Sequence, residues 1–218
     1  DFWKTMISRA LAVRIAAGLA HAPSGNGAEL PRSSVKMEGA RRTNCYRLVH
    51  GEGDNLPGLI IDHYDGVCVM QAHSVGMFRA KKQICAALLS VYGDSLKAVY
   101  DKSSSTAPFK AGLDLIDGYM YRRNGFCDDE QVVLENGHKF IVNWTEGQKT
   151  GFFLDQRENR SLVERYSAGR TVLNLFCYTG GFSVYALAGG ALHVDSVDSS
   201  ARAMELVEKN VALNGFTS

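Results

Sequence analysis

Residues 1–19 place Phe2, Trp3, Met6, Ile7, Ala10, Leu11, Ile15 and Leu19 at mostly three- and four-residue intervals, with Lys4, Arg9 and Arg14 largely outside that stripe. The spacing predicts an amphipathic helix. The pattern stops at residues 21–42, HAPSGNGAELPRSSVKMEGARR, where Gly, Pro, Ser and charge recur without a period, as in a linker or long loop. From Cys45 onward, the short apolar runs CYRLVH, GLIID and VCVMQAH are separated by the turn formers GEGDNLP and HYDG, the pattern of a β-meander. MFRAKKQICAALLSVYG then has helical spacing and stops at Gly93, KAVYDK reads as a strand and SSSTAPFKAG as a polar loop. VVLENGHKFIVNW reads as a hairpin whose Asn136-Gly137 pair suits a type I′ turn. Strands, one helix and strands again predict a small central α+β domain over residues 43–144.

The texture changes after residue 145. Asp155 is placed to cap a helix through QRENRSLVERYSAG that ends at Gly169. A strand (TVLNLF), a glycine turn, a helix (GFSVYALAGG), a strand (LHVDSVD) and a helix (SARAMELVEKNVALNG) follow. Near-continuous apolar strands alternating with helices predict a parallel sheet covered on both faces. The fold class expected is therefore α/β plus α+β.

Composition adds little to this. The chain has 218 residues, 45% hydrophobic and 22% charged, with a formal net charge of +1, so no global field selects a nucleic acid or an acidic partner. The first 47 residues differ: eight basic side chains, from Lys4 to Arg47, face only Asp1, Glu29 and Glu38, which suits phosphate contact or simply a solvated surface. Five widely spaced cysteines, 45, 68, 85, 127 and 177, without a signal peptide favour reduced thiols and a cytoplasmic location. No membrane span is expected.

In a β-α-β unit a ligand sits where the first strand ends and the helix begins, here Phe176 to Gly181. A dinucleotide fingerprint would be G-x-G-x-x-G, and this turn offers only Gly180 and Gly181 after Cys177, Tyr178 and Thr179. Closing amides around a pyrophosphate needs more glycines, whereas an amino-acid sulfonium ligand does not, so the turn favours S-adenosylmethionine over a nicotinamide dinucleotide. Asp198 ends the second strand 18 residues after Gly180, where a carboxylate can accept both ribose hydroxyls or, more plainly, cap the next helix with Ser199 and Ser200. Cys45, His50, His63 and Cys68 have a metal-like spacing, but strand partners five apart point to opposite faces, so no metal is expected. His50, Glu52 and Asp54 between Gly51 and Gly53 read first as a turn.

The ordered set NLFCYTGGFSVYALAGGA, VDSVDSS and GQKTGFFLDQRENR resembles the class I S-adenosylmethionine-dependent methyltransferases that modify 23S ribosomal RNA, specifically the cytosine-5 branch. YRLVHGEGDNLPGLIIDHYDG is similar to that family's central domain, and DFWKTMISRALAVR to its connecting helix. The resemblance implies a PUA domain, a central α+β domain and a Rossmann-like domain in the family, of which this sequence carries the connecting helix (1–20), the linker (21–42), the central domain (43–144) and the first half of the Rossmann-like methyltransferase sheet (145–218). It implies S-adenosylmethionine as cofactor, with Phe176, Tyr178, Thr179, Gly180 and Asp198 around the nucleoside. It further implies Thr150, Phe152 and Arg157 near the methionine end, and Lys149 meeting RNA phosphate.

The family's acceptor chemistry lies in a later Pro-Pro-aromatic motif and a cysteine nucleophile, while the prolines here are 23, 31, 57 and 108. No catalytic residue is therefore assigned, Cys177 is read as a packing residue of the turn, and this stretch is expected to bind cofactor weakly and transfer no methyl group by itself. An unpaired sheet edge predicts self-association. A guanine-N7 ribosomal RNA methyltransferase, a nicotinamide-dependent oxidoreductase and a non-catalytic RNA-binding module remain the alternatives.

Overall fold

The structure, a computed structural model, describes residues 1–23, 42–108 and 112–217. Of the predicted linker only 21–23 and 42 fall among them, and 109–111 of the predicted polar loop also lie outside the described residues. The chain divides into two compact units, Asp1–Asp129 with Asn143–Phe152, and Glu130–Val142 with Phe153–Ser218.

The first unit opens with helix α1 (Phe2–Ala16), whose first amides are capped by the Asp1 carboxylate, Trp3 N–H at 3.1 Å. Strands β1 (Cys45–His50), β2 (Leu59–Tyr64) and β3 (Val67–Ala72) form the predicted antiparallel meander. Helices α2 (Val75–Arg79) and α3 (Lys81–Tyr92) then cross over to β4 (Ala98–Asp101), which runs parallel to β3, and β5 (Gly118–Arg122) completes the sheet in the order β1-β2-β3-β4-β5. The single helix expected over 77–92 is thus two, separated at Ala80, with Ser74 capping the first through Met77 N–H. β5 was not expected, because five residues flanked by RRNG carry too little period to stand out.

Alternation divides this sheet into two chemically different faces. On one, Leu59, Ile61, Cys68, Met70 and Val99 pack with Ile7 and Leu11 of α1 and Ile84 and Leu88 of α3. Ile7, Leu11, Ile84 and Leu88 are fully buried, each worth about 1.5–3 kcal/mol of transfer free energy. The rings of Tyr46, His63 and Tyr92 stack at centroid distances of 4.7 and 5.2 Å within this layer. On the other face, Arg47 lies opposite Asp62 and Ile60 opposite Gln71.

The second unit begins with the hairpin β6 (Glu130–Glu135) and β7 (His138–Asn143), whose turn residues Asn136 and Gly137 both have the positive φ that a type I′ turn requires, 51° and 85°. Helix α4 (Arg157–Tyr166) follows a 3-10 turn at Leu154–Gln156, so Asp155 lies inside that turn instead of capping the helix, and α4 ends before Ser167 instead of at Gly169. Strands β8 (Thr171–Leu175) and β9 (His193–Val197) pair in parallel across helix α5 (Gly181–Ala188), and α6 (Ala201–Leu213) closes the described chain.

Three contacts hold these pieces together. A methyl group on Gly189 would lie 2.0 Å from the Glu164 carbonyl oxygen, so only glycine lets α4 and α5 approach this closely. Arg160 makes a bidentate pair with Glu135 at 2.7 and 2.8 Å, both buried, and the Tyr185 hydroxyl donates to the same carboxylate at 3.0 Å. Asn214 of the last turn of chain accepts the Lys139 N–H at 2.9 Å and donates to the Lys139 carbonyl at 2.8 Å, as a neighbouring strand would. The expected covering of the sheet holds for one face among the described residues: Val172, Asn174, Val194 and Ser196 are half-buried, while Leu173, Leu175 and Val197 on the other face are 62%, 54% and 49% exposed.

Candidate functional site

The turn after β8 is built by backbone geometry more than by glycine count. Phe176 and Tyr178, with φ of 55° and 48°, occupy the left-handed region that side chains rarely adopt, and Gly180 follows at 76°. Strained non-glycine positions of this kind concentrate at ligand sites because surrounding bonds must hold them there. Those bonds are present: Cys177 N–H donates to the Val197 carbonyl at 3.1 Å, Gly180 N–H to the Cys177 carbonyl at 2.9 Å, and Tyr178 N–H to the Asp198 carboxylate at 2.9 Å. A β-carbon on Gly180 would also meet Val207 at 3.1 Å.

Asp198 therefore joins the two strand ends. Its second oxygen accepts Ser200 N–H at 3.0 Å, while the Ser200 hydroxyl, not Asp198, caps α6 through Ala203 N–H. The amides of Ser200 and Tyr178 stabilise the charged form and hold the Asp198 pKa below the usual carboxylate value. An ionised carboxylate has about four acceptor positions, and the backbone amides of Ser200, Tyr178 and Ser199 do not fill them all, which leaves capacity for an incoming hydroxyl.

Beneath the turn lies polar support that the sequence pattern did not suggest. Asn174 and Ser196, directly paired across β8 and β9, are bridged by Ser183 of α5, Asn174 Nδ2 to Ser183 Oγ at 2.8 Å and Ser183 Oγ to Ser196 Oγ at 2.7 Å. Asn210 of α6 is fully buried and donates to the Thr179 carbonyl at 2.8 Å. The signal for Asn210 was present in EKNVALNG, where Asn210 and Asn214 are four apart and so share a helix face.

The predicted residues fall into three environments. Phe176 is 89% exposed and Tyr178 half-buried, with its ring edge-on to Phe153 at 5.3 Å, whereas Thr179 and Gly180 are buried within the turn. Arg157, at the start of α4, is half-buried and pairs with Glu158 at 3.1 Å. Thr150 and Phe152 belong to the first unit and are buried there. The Thr150 hydroxyl donates to Asp62 at 2.6 Å and lies 2.8 Å from the Tyr64 hydroxyl, and Phe152 offers its carbonyl to Tyr64 at 3.4 Å.

Cys177 is buried with its sulfur 3.7 Å from the Met204 sulfur, and burial raises its pKa, so it remains a thiol. Among the described residues no three His, Cys, Asp or Glu side chains converge as a metal site would require, and no helix is long and apolar enough to cross a membrane.

The groups present suit a nucleoside-bearing ligand without a pyrophosphate: an accepting carboxylate at the end of β9, an exposed ring at the mouth of the turn and a narrow left-handed backbone between them. Comparison with known proteins agrees. Residues 109–218 match the profile of a family described as S-adenosylmethionine-dependent methyltransferases. The ribosomal RNA large subunit methyltransferase I of Pseudoalteromonas atlantica is 42% identical over 173 residues, covering 79% of this chain and 42% of that protein. The chain thus spans less than half the length of that curated relative. Among solved structures, a Streptococcus mutans protein described as a candidate SAM-dependent methyltransferase superposes with a TM-score of 0.77 at 26% identity, covering 99% of this chain and 49% of its own. A candidate methyltransferase in complex with SAH gives the same TM-score and identity, with 99% and 48% covered.

Proposed function

The chain belongs to the family of S-adenosylmethionine-dependent methyltransferases, and we propose that it serves the methylation of large-subunit ribosomal RNA, with cytosine C5 as the acceptor atom. The observation that carries the cofactor half of this reading is the Asp198 carboxylate, held ionised at the strand ends by Tyr178 and Ser200 amides with acceptor capacity to spare. S-adenosylmethionine supplies a methyl group on a sulfonium when bound. Asp198 takes the ribose hydroxyls, Phe176 and Tyr178 flank the nucleoside, and Thr179 and Gly180 shape the turn that receives it. Arg157 has a partly exposed guanidinium suited to the carboxylate of the methionine moiety. Thr150 and Phe152 act by anchoring the GQKTGFF segment through Asp62 and Tyr64.

The RNA half rests on the relatives' names and on the resemblance of the motif set. Cytosine is weakly nucleophilic at C5, and its methylation calls for a thiolate adding at C6. Cys177 does not supply it, because its sulfur is buried and protonated, and none of the other four cysteines is assigned that role.

The test is to delete the encoding gene from its host and to digest the large-subunit ribosomal RNA to nucleosides. Loss of a 5-methylcytidine is expected. Loss of a 7-methylguanosine would replace cytosine C5 by guanine N7, and an unchanged set of methylated nucleosides would remove the RNA reading.

A further inference from the structure

The face of the first unit's sheet turned away from α1 and α3 carries a cavity of about 590 Å³ lined by Arg47, Ile60, Gln71, His73, Thr106 and Lys149 among others, within the range of about 300–1,000 Å³ usual for small-ligand sites. Gln71 is the unusual member. It is only 8% exposed, and among the described residues nothing hydrogen-bonds its side-chain amide. No group among them satisfies its two donors and acceptor, and a side chain kept this way in a largely buried place points to a partner that comes and goes. Its amide atoms are not sealed in, since the sole fully enclosed unpaired side-chain atom among the described residues is Nδ1 of His63. Water or a ligand therefore reaches Gln71 through the cavity.

The walls are fixed in place around it. Arg47 is locked by its fork on the fully buried Asp62, at 2.8 and 3.1 Å, and Asp62 is further held by Thr150 at 2.6 Å. The neighbouring Lys149 stands at a φ of 49°, a strained position for a side chain. Thr106 is pinned by its hydroxyl to the Ala72 carbonyl at 2.9 Å. Asp62 behind the lining offsets the charge of Arg47, and Glu52 adds a carboxylate to the wall, so the cavity is no general anion trap. It combines one neutral donor-acceptor amide, an apolar side chain at Ile60, a guanidinium held rigid and a lysine.

From these features we infer that the cavity receives one unstacked nucleotide of the RNA substrate, its base edge paired with the Gln71 amide and its phosphate met by Lys149. The inference rests on the RNA reading given under the proposed function. A glutamine amide pairs with the adjacent donor and acceptor of adenine, and proteins that read RNA by sequence do so on splayed bases packed against aromatic or guanidinium planes. An amide can pair with an edge of any unstacked base, and adenine is taken as preferred because the bidentate glutamine pairing of nucleic-acid readout is to adenine.

Fluorescence anisotropy of the protein with short labelled homopolymeric RNAs of A, C, G and U tests it, with thermal melting to show that each variant is folded. The native protein is expected to bind the A oligomer most tightly. Gln71→Leu, similar in shape and without polar atoms, should lower that preference by about tenfold. Gln71→Glu accepts but does not donate when ionised, so its preference should move to guanine, whose N1–H and N2–H both donate. Lys149→Gln should weaken all four oligomers alike and reduce the slope of log affinity against log salt by about 0.7. Equal affinities of the native protein and Gln71→Leu for every oligomer would overturn the cavity assignment and leave the RNA reading intact. Failure of the native protein to bind any RNA would overturn both.

Discussion

Asn210 holds Thr179 in place: its Nδ2 donates to the Thr179 carbonyl at 2.8 Å, while its Oδ1 accepts the Ile141 amide at 2.8 Å. One buried side chain thus ties the cofactor turn, α6 and the β6–β7 hairpin together. Replacing it strands a backbone group of buried Thr179 and one of half-buried Ile141 at once, each costing up to about 1–3 kcal/mol. Asn210→Ala is expected to lower the unfolding free energy by about 2–4 kcal/mol. Asn210→Asp, which keeps the acceptor for Ile141 and loses the donor to Thr179, should be less destabilising in urea and still weaken S-adenosylmethionine binding. A variant with native stability and native affinity would show that Thr179 needs no such support.

Asp198→Ala removes the carboxylate that accepts Tyr178 and Ser200 amides. Loss of calorimetric affinity for S-adenosylmethionine is expected, and Asp198→Asn should recover the turn without recovering ribose binding to the same degree. Because the Asp198 pKa is lowered in the folded chain, its contribution to stability is complete above the unfolded carboxylate pKa and disappears as pH falls through the lowered value. An affinity for S-adenosylmethionine unchanged in Asp198→Ala would remove the ribose assignment.

His63 also loses stability as pH falls, but because its folded form must stay neutral. Burial between Tyr46 and Tyr92 lowers its pKa from 6.5 to about 4, with Asp65 opposing and Lys97 reinforcing the shift. Its Nε2 accepts the Gly66 amide at 3.1 Å, so the folded chain needs the ring neutral while the unfolded chain protonates it below 6.5. Stability should therefore decline between pH 6.5 and 4, by about 3 kcal/mol at most. His63→Phe keeps a ring in the stack and should flatten that part of the pH curve in urea titrations, and an unchanged slope would count against this origin.

Arg160 and Glu135 are both almost wholly removed from solvent. Arg160→Met leaves a buried carboxylate facing only the Tyr185 hydroxyl and is expected to cost about 3–5 kcal/mol. The double change Arg160→Met with Glu135→Leu should recover much of that loss, because apolar pairs of similar volume often replace buried ion pairs without penalty. Chemical denaturation of the two variants side by side checks both statements.

The fold was legible wherever one face of an element is buried and the other is not. CYRLVH became β1 without adjustment, Asn136-Gly137 supplied both left-handed turn residues, and the β-α-β-α order of the second unit was readable from its alternating elements. The failures were local. Ala80 interrupts a stretch whose apolar period runs on, and Asp155 has the chemistry of a cap but sits inside a 3-10 turn. At the site, the turn and Asp198 could be found from spacing because backbone and carboxylate recur at fixed points of a β-α-β unit. The spacing of Asn210 and Asn214 marked a polar helix face but not its partners Thr179 and Ile141, and Ser183 and Gln71 gave no signal, since each acts on groups brought beside it only by the fold, as Gln71 lies beside Lys149 in one cavity.

The double bond from Asn214 to Lys139 has a consequence for how the second unit opens. With Asn210 on Ile141, helix α6 provides the partners that another strand would give to alternate backbone groups of β7. Hairpin and helix should then come apart in one event, as a single foldon. In native-state hydrogen exchange, the Lys139 and Ile141 amides would report the opening of a helix about seventy residues further along the chain, not the fraying of the hairpin to which they belong.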